Sequence, residues 1–184
     1  MGPPAELRTP RLTLARMGPE YADGLIASIR ASLAELQPFM AWAVDHDPRA
    51  TRSFTEMAER RWDDQTGWTF AVLQEREPVG ACSLDRYEAL LESCEVGYWM
   101  RTDLCSRGLM TEAASAVVEF GFEQLRLHRL ELHAAPDNHG SIRIAEKLGF
   151  RREGVLRDGS RGIGGFHDVY VFGLLAHDPR ARFH

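Results

Sequence analysis

The sequence predicts an α/β fold, an α+β mixed sheet of about seven strands flanked by four helices, in the order β-α-α-β-β-β-α-β-α-β-β. Short runs that alternate apolar and polar residues indicate strands, and stretches with apolar residues at steps of three and four indicate helices. Neighbouring strand patterns near both ends of the chain favour antiparallel hairpins. The strand–helix–strand stretch 94–135 favours a right-handed crossover between two parallel strands.

The individual patterns follow one another with short connections. Strands are predicted at residues 12–16, 68–73, 79–84, 94–100 and 129–135, with two last strands containing 155–156 and 169–175. Helices are predicted at residues 21–33, 51–65, from the loop at 106–108 to about 125, and 138–148. The apolar segment 36–42 is interrupted by Pro38, so its aromatic residues Phe39 and Trp42 either cap the core or line a pocket.

Composition restricts the class of protein. The 184 residues suit one domain over 1–184, with the Pro-rich residues 1–10 as a loosely held lead-in. No apolar run reaches ~18 residues and no secretory signal is apparent, so we expect no membrane contact. Three separated cysteines without metal-binding spacing suit free thiols in the cytoplasm and predict no metal site. The net charge of −5 argues against nucleic-acid binding.

The loop before the third predicted helix is a candidate anion site. Ser106, Arg107 and Gly108 lie where a strand ends and a helix begins. The first N–H groups of a helix have no intrahelical partner, and the peptide dipoles add partial positive charge there. Gly108 allows a ligand to approach the backbone, and Arg107 adds a full charge. The loop alone fits a phosphate site and an ordinary strand-to-helix turn.

The stretch 136–150 carries a second group of polar residues. Asn138 is placed as the N-cap of a short helix with Ser141 in its first turn, and Gly149 is placed as its C-cap. This helix follows the strand that neighbours the one leading into the anion loop. Asn138 and Ser141 are therefore expected to face the same crevice as the phosphate site, at a place where strand order or direction switches.

These two stretches resemble the motifs of the GNAT family, the Gcn5-related N-acetyltransferases. Residues 138–150 match the signature N-x-x-S-x-x-x-x-E-K-x-G-F, and residues 105–110 resemble the pyrophosphate loop (Q/R)-x-x-G-x-(G/A), with Cys105 and Met110 as departures. The opening 7–14 and the stretches 127–132 and 165–168 resemble the RimJ/RimL-like branch, whose members acetylate ribosomal proteins. The resemblance covers essentially the whole chain.

The resemblance implies acetyl-CoA as donor, or another acyl-CoA, and a primary amine as acceptor that attacks directly in a ternary complex. It implies backbone N–H groups of Ser106, Arg107, Gly108, Leu109, Met110 and Thr111 at the pyrophosphate, Asn138 at the pantetheine arm, and Lys147 as a further cofactor-binding residue. A backbone N–H near Trp99–Met100 would stabilise the oxyanion. Phe39, Trp42 and Tyr98 would contact the acceptor.

The proton-transfer residues remain open between alternatives. Ser141 would protonate the leaving thiolate, unless it is only a first-turn residue, and Tyr98 is a second candidate acid. Glu95 is the candidate base, unless its side chain faces away from the site. The histidines His133, His139 and His167 are further candidates because histidine titrates near neutrality.

The expected acceptor is the α-amine of a protein or peptide N-terminus, whose pKa of about 8 makes it easier to deprotonate than lysine at about 10.4. A small-molecule amine of the resistance or detoxification type is the alternative on the same fold. A CoA-binding module without turnover is a third possibility, and a homodimer is compatible with the family.

Overall fold

The computed structural model of the protein describes residues 2–181 and 183, and over these residues it contains one eight-stranded sheet and five helices. The strands are β1 Glu6–Arg8, β2 Thr13–Arg16, β3 Trp68–Gln74, β4 Glu77–Glu88, β5 Ser93–Met100, β6 Arg129–Ala134, β7 Arg151–Gly162 and β8 Gly165–Leu175. The helices are α1 Ala22–Arg30, α2 Leu33–Leu36, α3 Pro48–Asp63, α4 Leu109–Glu123 and α5 His139–Leu148. None of the helices in this described part is long and apolar enough to cross a membrane.

The predicted mixed sheet is confirmed. Its strand order is β1-β2-β3-β4-β5-β6-β8-β7. Among the described strands only β5 and β6 pair in parallel, and α4 makes the crossover between them. The antiparallel pairs lie on either side of this step, as the hairpin patterns predicted.

Strand β1 was not predicted and raises the strand count from about seven to eight. Glu6–Arg8 pairs antiparallel with β2, so part of the expected loose lead-in is an edge strand. Three residues between prolines are too few for alternation to be recognised in the sequence. Prolines beside the strand are compatible with an edge position, where ladder hydrogen bonds are needed on one side only.

The helix α2 is the second difference, because the first predicted helix ends at Arg30 and a separate turn follows. Ser32 lies between them, is fully buried, and accepts a hydrogen bond from the N–H of Thr102 at 3.0 Å. Apolar periodicity continues through this position, but it carries no information about a partner 70 residues away. The helix count is therefore five rather than four.

Four of the five described helices cover the sheet, two on each face. On β4, Ala81 packs in a cluster with residues of α1 and α3, whereas its neighbour Cys82 packs in the larger cluster with residues of α4 and α5. Since successive strand residues point to opposite faces, α1 and α3 lie on one face and α4 and α5 on the other. On β5, Tyr98 packs against the α4–α5 cluster and Trp99 against the α1–α3 cluster.

A buried carboxylate ties the start of the chain to α4. Glu112 is 5% exposed and accepts hydrogen bonds from the Thr9 hydroxyl at 2.6 Å and from Nε of Arg11 at 2.7 Å. Arg11 also donates from Nη1 to the carbonyl of Arg107 at 2.9 Å. Burial alone would raise the pKa of Glu112, but these hydrogen bonds outweigh burial and hold the pKa below its usual value. The contact fixes the first turn of α4 and the loop before it.

We expect the Glu112→Gln substitution to lower the free energy of unfolding at neutral pH by about 1–3 kcal/mol, because hydrogen bonds to a buried charge are weakened. The folded-state pKa lies below the unfolded value of about 4.3. The carboxylate therefore stabilises the fold above that pH, and its contribution is lost as pH falls through the folded-state pKa. Urea unfolding should show a difference between wild type and variant that narrows as pH falls below the unfolded pKa of about 4.3.

The control is Glu56→Gln, which changes an exposed carboxylate on α3 and should leave the stability unchanged at either pH. A Glu112→Gln deficit of the same size at neutral and acid pH would contradict the assignment of a stabilising charge to this site.

Candidate active site

The sheet opens between its two parallel strands. Pairing of β5 with β6 ends at Val96 and Leu132. Beyond this point β5 remains paired with β4 as far as Met100, and β6 remains paired with β8 as far as Ala134. The facing edges of the two strands therefore run on without pairing to each other, and this leaves a gap through the sheet at their C-terminal ends.

The gap leaves backbone donors of β5 available. The N–H of Arg101 donates to the carbonyl of Val79 at 2.7 Å, on the β4 side. Because backbone groups alternate between the two sides of a strand, the N–H of Trp99 also points to β4, whereas those of Tyr98 and Met100 point to the gap. The part of the chain that the structure describes has no strand paired with β5 there. Each of these two N–H groups can thus donate to an acceptor in the gap, and they are too far apart, about 6.6 Å, to share one oxygen.

A cavity of about 540 Å³ passes through this gap and is lined from both faces of the sheet. From the α4–α5 face it is lined by Tyr98, Asn138 and Ser141, and from the α1–α3 face by Glu95, Trp99 and His133. A ligand in the gap would therefore be reachable from both faces.

On the α4–α5 face, the start of α5 holds two hydroxyl groups together. Oδ1 of Asn138 accepts a hydrogen bond from the N–H of Ser141 at 3.1 Å, which is the predicted N-cap. Oγ of Ser141 lies 2.9 Å from the hydroxyl of Tyr98. Burial raises the pKa of Tyr98 far above its ordinary value, and its hydrogen bond with Ser141 offsets this only in part. Tyr98 therefore remains a neutral hydroxyl at physiological pH.

On the α1–α3 face, Glu95 lies beside two basic side chains. Its Oε2 is 3.2 Å from Nη1 of Arg86 and 3.5 Å from Nδ1 of His133. Nε2 of His133 lies 3.5 Å from Oε2 of Glu131 and has no hydrogen-bond partner among the described residues. The direction of the Glu95 side chain, which alternation left open, is towards the cavity. A carboxylate at this position can accept a proton from an amine.

An aromatic wall closes the same face of the cavity. The rings of Trp42 and Trp99 lie 5.8 Å apart, and the ring of His46 lies 6.4 Å from Trp42. Nε2 of His46 is 2.8 Å from the hydroxyl of Thr51. Burial and the nearby charge of Arg30 lower the pKa of His46, so its imidazole is neutral near pH 7. The wall is apolar and uncharged.

The hairpin β7–β8 forms the remaining wall. The N–H of Ile163 at its turn donates to the carbonyl of Gln37 at 3.1 Å, which ties the hairpin to the segment after α2. A Cβ on Gly162 would lie 2.1 Å from the carbonyl oxygen of Pro38, so only glycine fits this contact. The hairpin contributes Leu156, Gly159, Ser160, His167 and Val169 to the cavity.

The anion loop is exposed and has a backbone shaped for close approach. Ser106 and Gly108 have φ values of 61° and 77°, in the left-handed region. No side chain caps α4, and the N–H of Glu112 is the first that bonds within the helix, to the carbonyl of Gly108. The N–H groups of residues 109–111 are therefore left for a ligand. The guanidinium of Arg107 has no ion pair within the described residues.

Several residues predicted for the site line one cavity. They are Phe39, Trp42, Glu95, Tyr98, Asn138 and Ser141, together with the candidate bases His133 and His167. Tyr98 was predicted to contact the acceptor and as a candidate acid, and its hydroxyl lies 2.9 Å from Oγ of Ser141, on the opposite face of the sheet from Trp99.

Other predicted site residues lie outside the cavity lining. Residues 106–111 form the separate loop and first turn of α4, where the side chains of Leu109, Met110 and Thr111 are buried. The side chain of Met100 is also buried, so only its backbone faces the gap. Lys147 is exposed in the last turn of α5, at the opposite end from Ser141, and the candidate base His139 does not line the cavity.

Sequence reasoning missed residues that the tertiary fold brings to the site. Arg86 reaches Glu95 from a β-bulge, with a left-handed φ of 54°. His46 and, apart from His167, the β7–β8 residues approach from segments distant in the sequence. No spacing motif connects these residues.

Comparison with known proteins identifies the family. Residues 11–151 match the model of the acetyltransferase (GNAT) domain. A Bacillus licheniformis protein named uncharacterized N-acetyltransferase p20 is 30% identical over 171 residues, which is 92% of this chain and 95% of that protein. The ribosomal-protein-serine acetyltransferase of Escherichia coli (strain K12) is 27% identical over 106 residues, 58% of this chain and 59% of that one.

Solved structures of acetyltransferases have the same fold as this protein. RimL, the ribosomal L7/L12 alpha-N-protein acetyltransferase in complex with coenzyme A, superposes with a TM-score of 0.85 at 18% identity, over 94% of this chain and 96% of that chain. At this identity the likeness concerns the fold alone. Because the family model covers most of the chain, the protein belongs to the GNAT acetyltransferases, resembles their RimJ/RimL-like branch, and is an N-acetyltransferase.

Proposed function

We propose that the protein acetylates the α-amine of a protein or peptide N-terminus, by direct attack on acetyl-CoA in a ternary complex. The observation that carries this proposal is that the cavity on the α1–α3 face continues beyond Glu95 into a second opening. A second opening of about 510 Å³ is lined by Arg61, Thr66, Asp85, Arg86, Tyr87, Glu95 and Gly97, and four of these residues also line the first cavity. We call this opening the distal groove.

The distal groove favours an extended acceptor. A small amine would occupy the first cavity alone, whereas a peptide with its amine at Glu95 needs a path for its following residues. The distal groove supplies such a path. The similarity to the ribosomal-protein-serine acetyltransferase supports the same class of acceptor.

The positions of N–H groups left unpaired within the described residues indicate how acetyl-CoA, the acetyl donor, is bound. Backbone N–H groups of residues 106–111 and the charge of Arg107 bind the pyrophosphate, with the partial positive charge of the α4 terminus. Asn138 uses its Oδ1 to cap α5, which leaves its Nδ2 to donate to the pantetheine arm. The N–H of Met100 stabilises negative charge that develops on the thioester oxygen. The N–H of Tyr98 lies two residues, about 6.6 Å, away along the strand and is left for another acceptor group of the donor.

Proton transfers take place on opposite faces of the sheet. Glu95 accepts the proton of the acceptor ammonium through water on the α1–α3 face, where Nδ1 of His133 lies 3.5 Å from its Oε2. On the other face, Tyr98 donates to Oγ of Ser141, so the Ser141 hydroxyl is free to donate to the leaving thiolate. Tyr98 does not lose its own proton because a buried phenolate is disfavoured.

We place this activity in a single domain over residues 1–184 and in the cytoplasm. Free thiols at Cys82, Cys94 and Cys105 support a reducing compartment.

An acceptor panel tests the proposed function. Thiol release from acetyl-CoA should be observed with peptides that have a free N-terminal amine. It should be near background with a peptide whose only amine is lysine, because that amine is more strongly protonated at neutral pH. Polyamines and aminoglycosides serve as comparison acceptors. Turnover limited to these small amines would contradict a peptide acceptor, and tight acetyl-CoA binding without turnover on any acceptor would favour a binding module.

Substitution of the two hydroxyls tests the thiolate step. We expect Ser141→Ala to lower kcat by about 10²-fold, the lower end for proton transfer, with little change in KM for acetyl-CoA. Tyr98→Phe should lower kcat by about ten-fold, since Tyr98 acts through Ser141. Adding Tyr98→Phe to Ser141→Ala should cause no further loss, since residues acting as a unit are not additive.

The control is Tyr170→Phe, because the Tyr170 ring lies beneath Arg152 and outside the cavity lining. Equal and additive losses for the Tyr98 and Ser141 variants would contradict a linked pair.

A further inference from the structure

We propose that the acceptor peptide carries a carboxylate side chain within its first few residues, and that Arg61 and Arg86 in the distal groove bind it. This inference rests on the proposed function and specifies its substrate class.

The acidic and basic side chains of the distal groove differ in how exposed they are. Two carboxylates, Asp85 and Glu95, have side chains that are 34% and 23% exposed. The two guanidiniums, Arg61 and Arg86, are 46% and 77% exposed. The negative groups therefore lie deeper, towards the reaction site, and the positive groups lie nearer the mouth.

The ion pairs in the groove are loose. Nη1 of Arg61 lies 3.4 Å from Oδ1 of Asp85, and Nη1 of Arg86 lies 3.2 Å from Oε2 of Glu95. Asp85 also accepts a hydrogen bond from the hydroxyl of Ser83 at 2.7 Å, so it is held without Arg61. Exposed pairs of this kind are worth at most about 1 kcal/mol, and an incoming charged ligand can replace them. Both arginines are thus available to exchange partners.

The position of Arg86 requires an unusual backbone. Arg86 has a φ of 54°, and the β4–β5 ladder shifts register between Asp85 and Glu88. Bulges of this kind redirect side chains, and they occur often next to active sites. A left-handed conformation is unfavourable for a residue with a side chain, and here its effect is to bring a cation beside Glu95.

Charge balance then favours an acidic acceptor. Without acceptor, the two carboxylates and two guanidiniums cancel. The ammonium of an N-terminus adds one positive charge and competes with Arg86 for Glu95. A carboxylate on the same peptide restores neutrality, because Arg86 and Arg61 can bind it while the ammonium takes Glu95. Arginine suits this exchange because its planar donors match a carboxylate.

The distance from Glu95 to the two guanidiniums places this carboxylate within the first few residues of the acceptor peptide. Glu95 and Asp85 are direct neighbours across the β4–β5 ladder, and Asp85 pairs with Arg61. Neighbouring strands are about 4.8 Å apart, and an extended peptide advances about 3.3 Å per residue. Positions two to four of the acceptor therefore lie within reach of the two guanidiniums.

The test uses peptides with one N-terminal amine and a single Asp, Asn or Lys at position two, three or four, with saturating acetyl-CoA. We expect kcat/KM to be about ten-fold higher for the best Asp peptide than for its Asn counterpart, the usual value of a charge-assisted hydrogen bond. The Lys peptide should be poorer still. Added salt should reduce the preference.

Variants of Arg61 test whether the distal groove causes the preference for Asp peptides. Arg61→Gln should abolish most of the Asp preference, and Arg61→Glu should reverse it in favour of the Lys peptide. Arg60→Gln is the matched control, because Arg60 is the exposed neighbour on α3 and does not line the groove. The KM for acetyl-CoA should not change in any of the three.

The outcomes are distinct. Equal kcat/KM for Asp and Asn peptides would overturn the acidic-acceptor inference. An Asp preference that survives both Arg61 substitutions would overturn the assignment of the carboxylate to Arg61. Either result would leave N-terminal acetylation intact. Absence of turnover on every peptide would instead overturn the proposed function.

Discussion

The function of this fold depends on where one parallel ladder stops. Pairing between β5 and β6 ends at Val96 and Leu132, while each strand continues with its other neighbour. A sheet is normally a continuous barrier, because every internal strand is bonded on both sides. Here the divergence opens a passage through it and leaves the N–H groups of Tyr98 and Met100 facing the passage. The start of α5 and the aromatic wall border the cavity in this gap, and the anion loop follows the end of β5.

The sheet also separates the groups proposed for the two proton transfers. Ser141 and Tyr98 lie on the α4–α5 face, and Glu95 and His133 lie on the α1–α3 face. A hydroxyl and a carboxylate in direct contact would hydrogen-bond each other, so this separation leaves each group free for its own proposed partner. The hydrogen bond by which Asn138 caps α5 is the same one that holds the Ser141 backbone at the edge of the cavity.

The parts of the site that could be predicted from sequence are those whose cause is local. Asn138 and Gly149 are recognisable as helix caps, and the structure confirms both positions. The parallel step was predictable because strand, helix and strand follow one another directly. Contacts between distant segments could not be predicted in this way. The pairing of Tyr98 with Ser141 and the approach of Arg86 to Glu95 depend on register and a bulge, which alternation does not encode. Strand β1 was too short to show a period.

Residue-resolved amide hydrogen exchange, with and without acetyl-CoA, tests the role of the gap most directly. The account predicts that bound acetyl-CoA slows exchange at Tyr98 and Met100, whose N–H groups face the gap. It predicts little change at Trp99, whose N–H already points to β4. Binding of acetyl-CoA that leaves Tyr98 and Met100 unchanged would contradict the claim that the donor occupies the opening between β5 and β6.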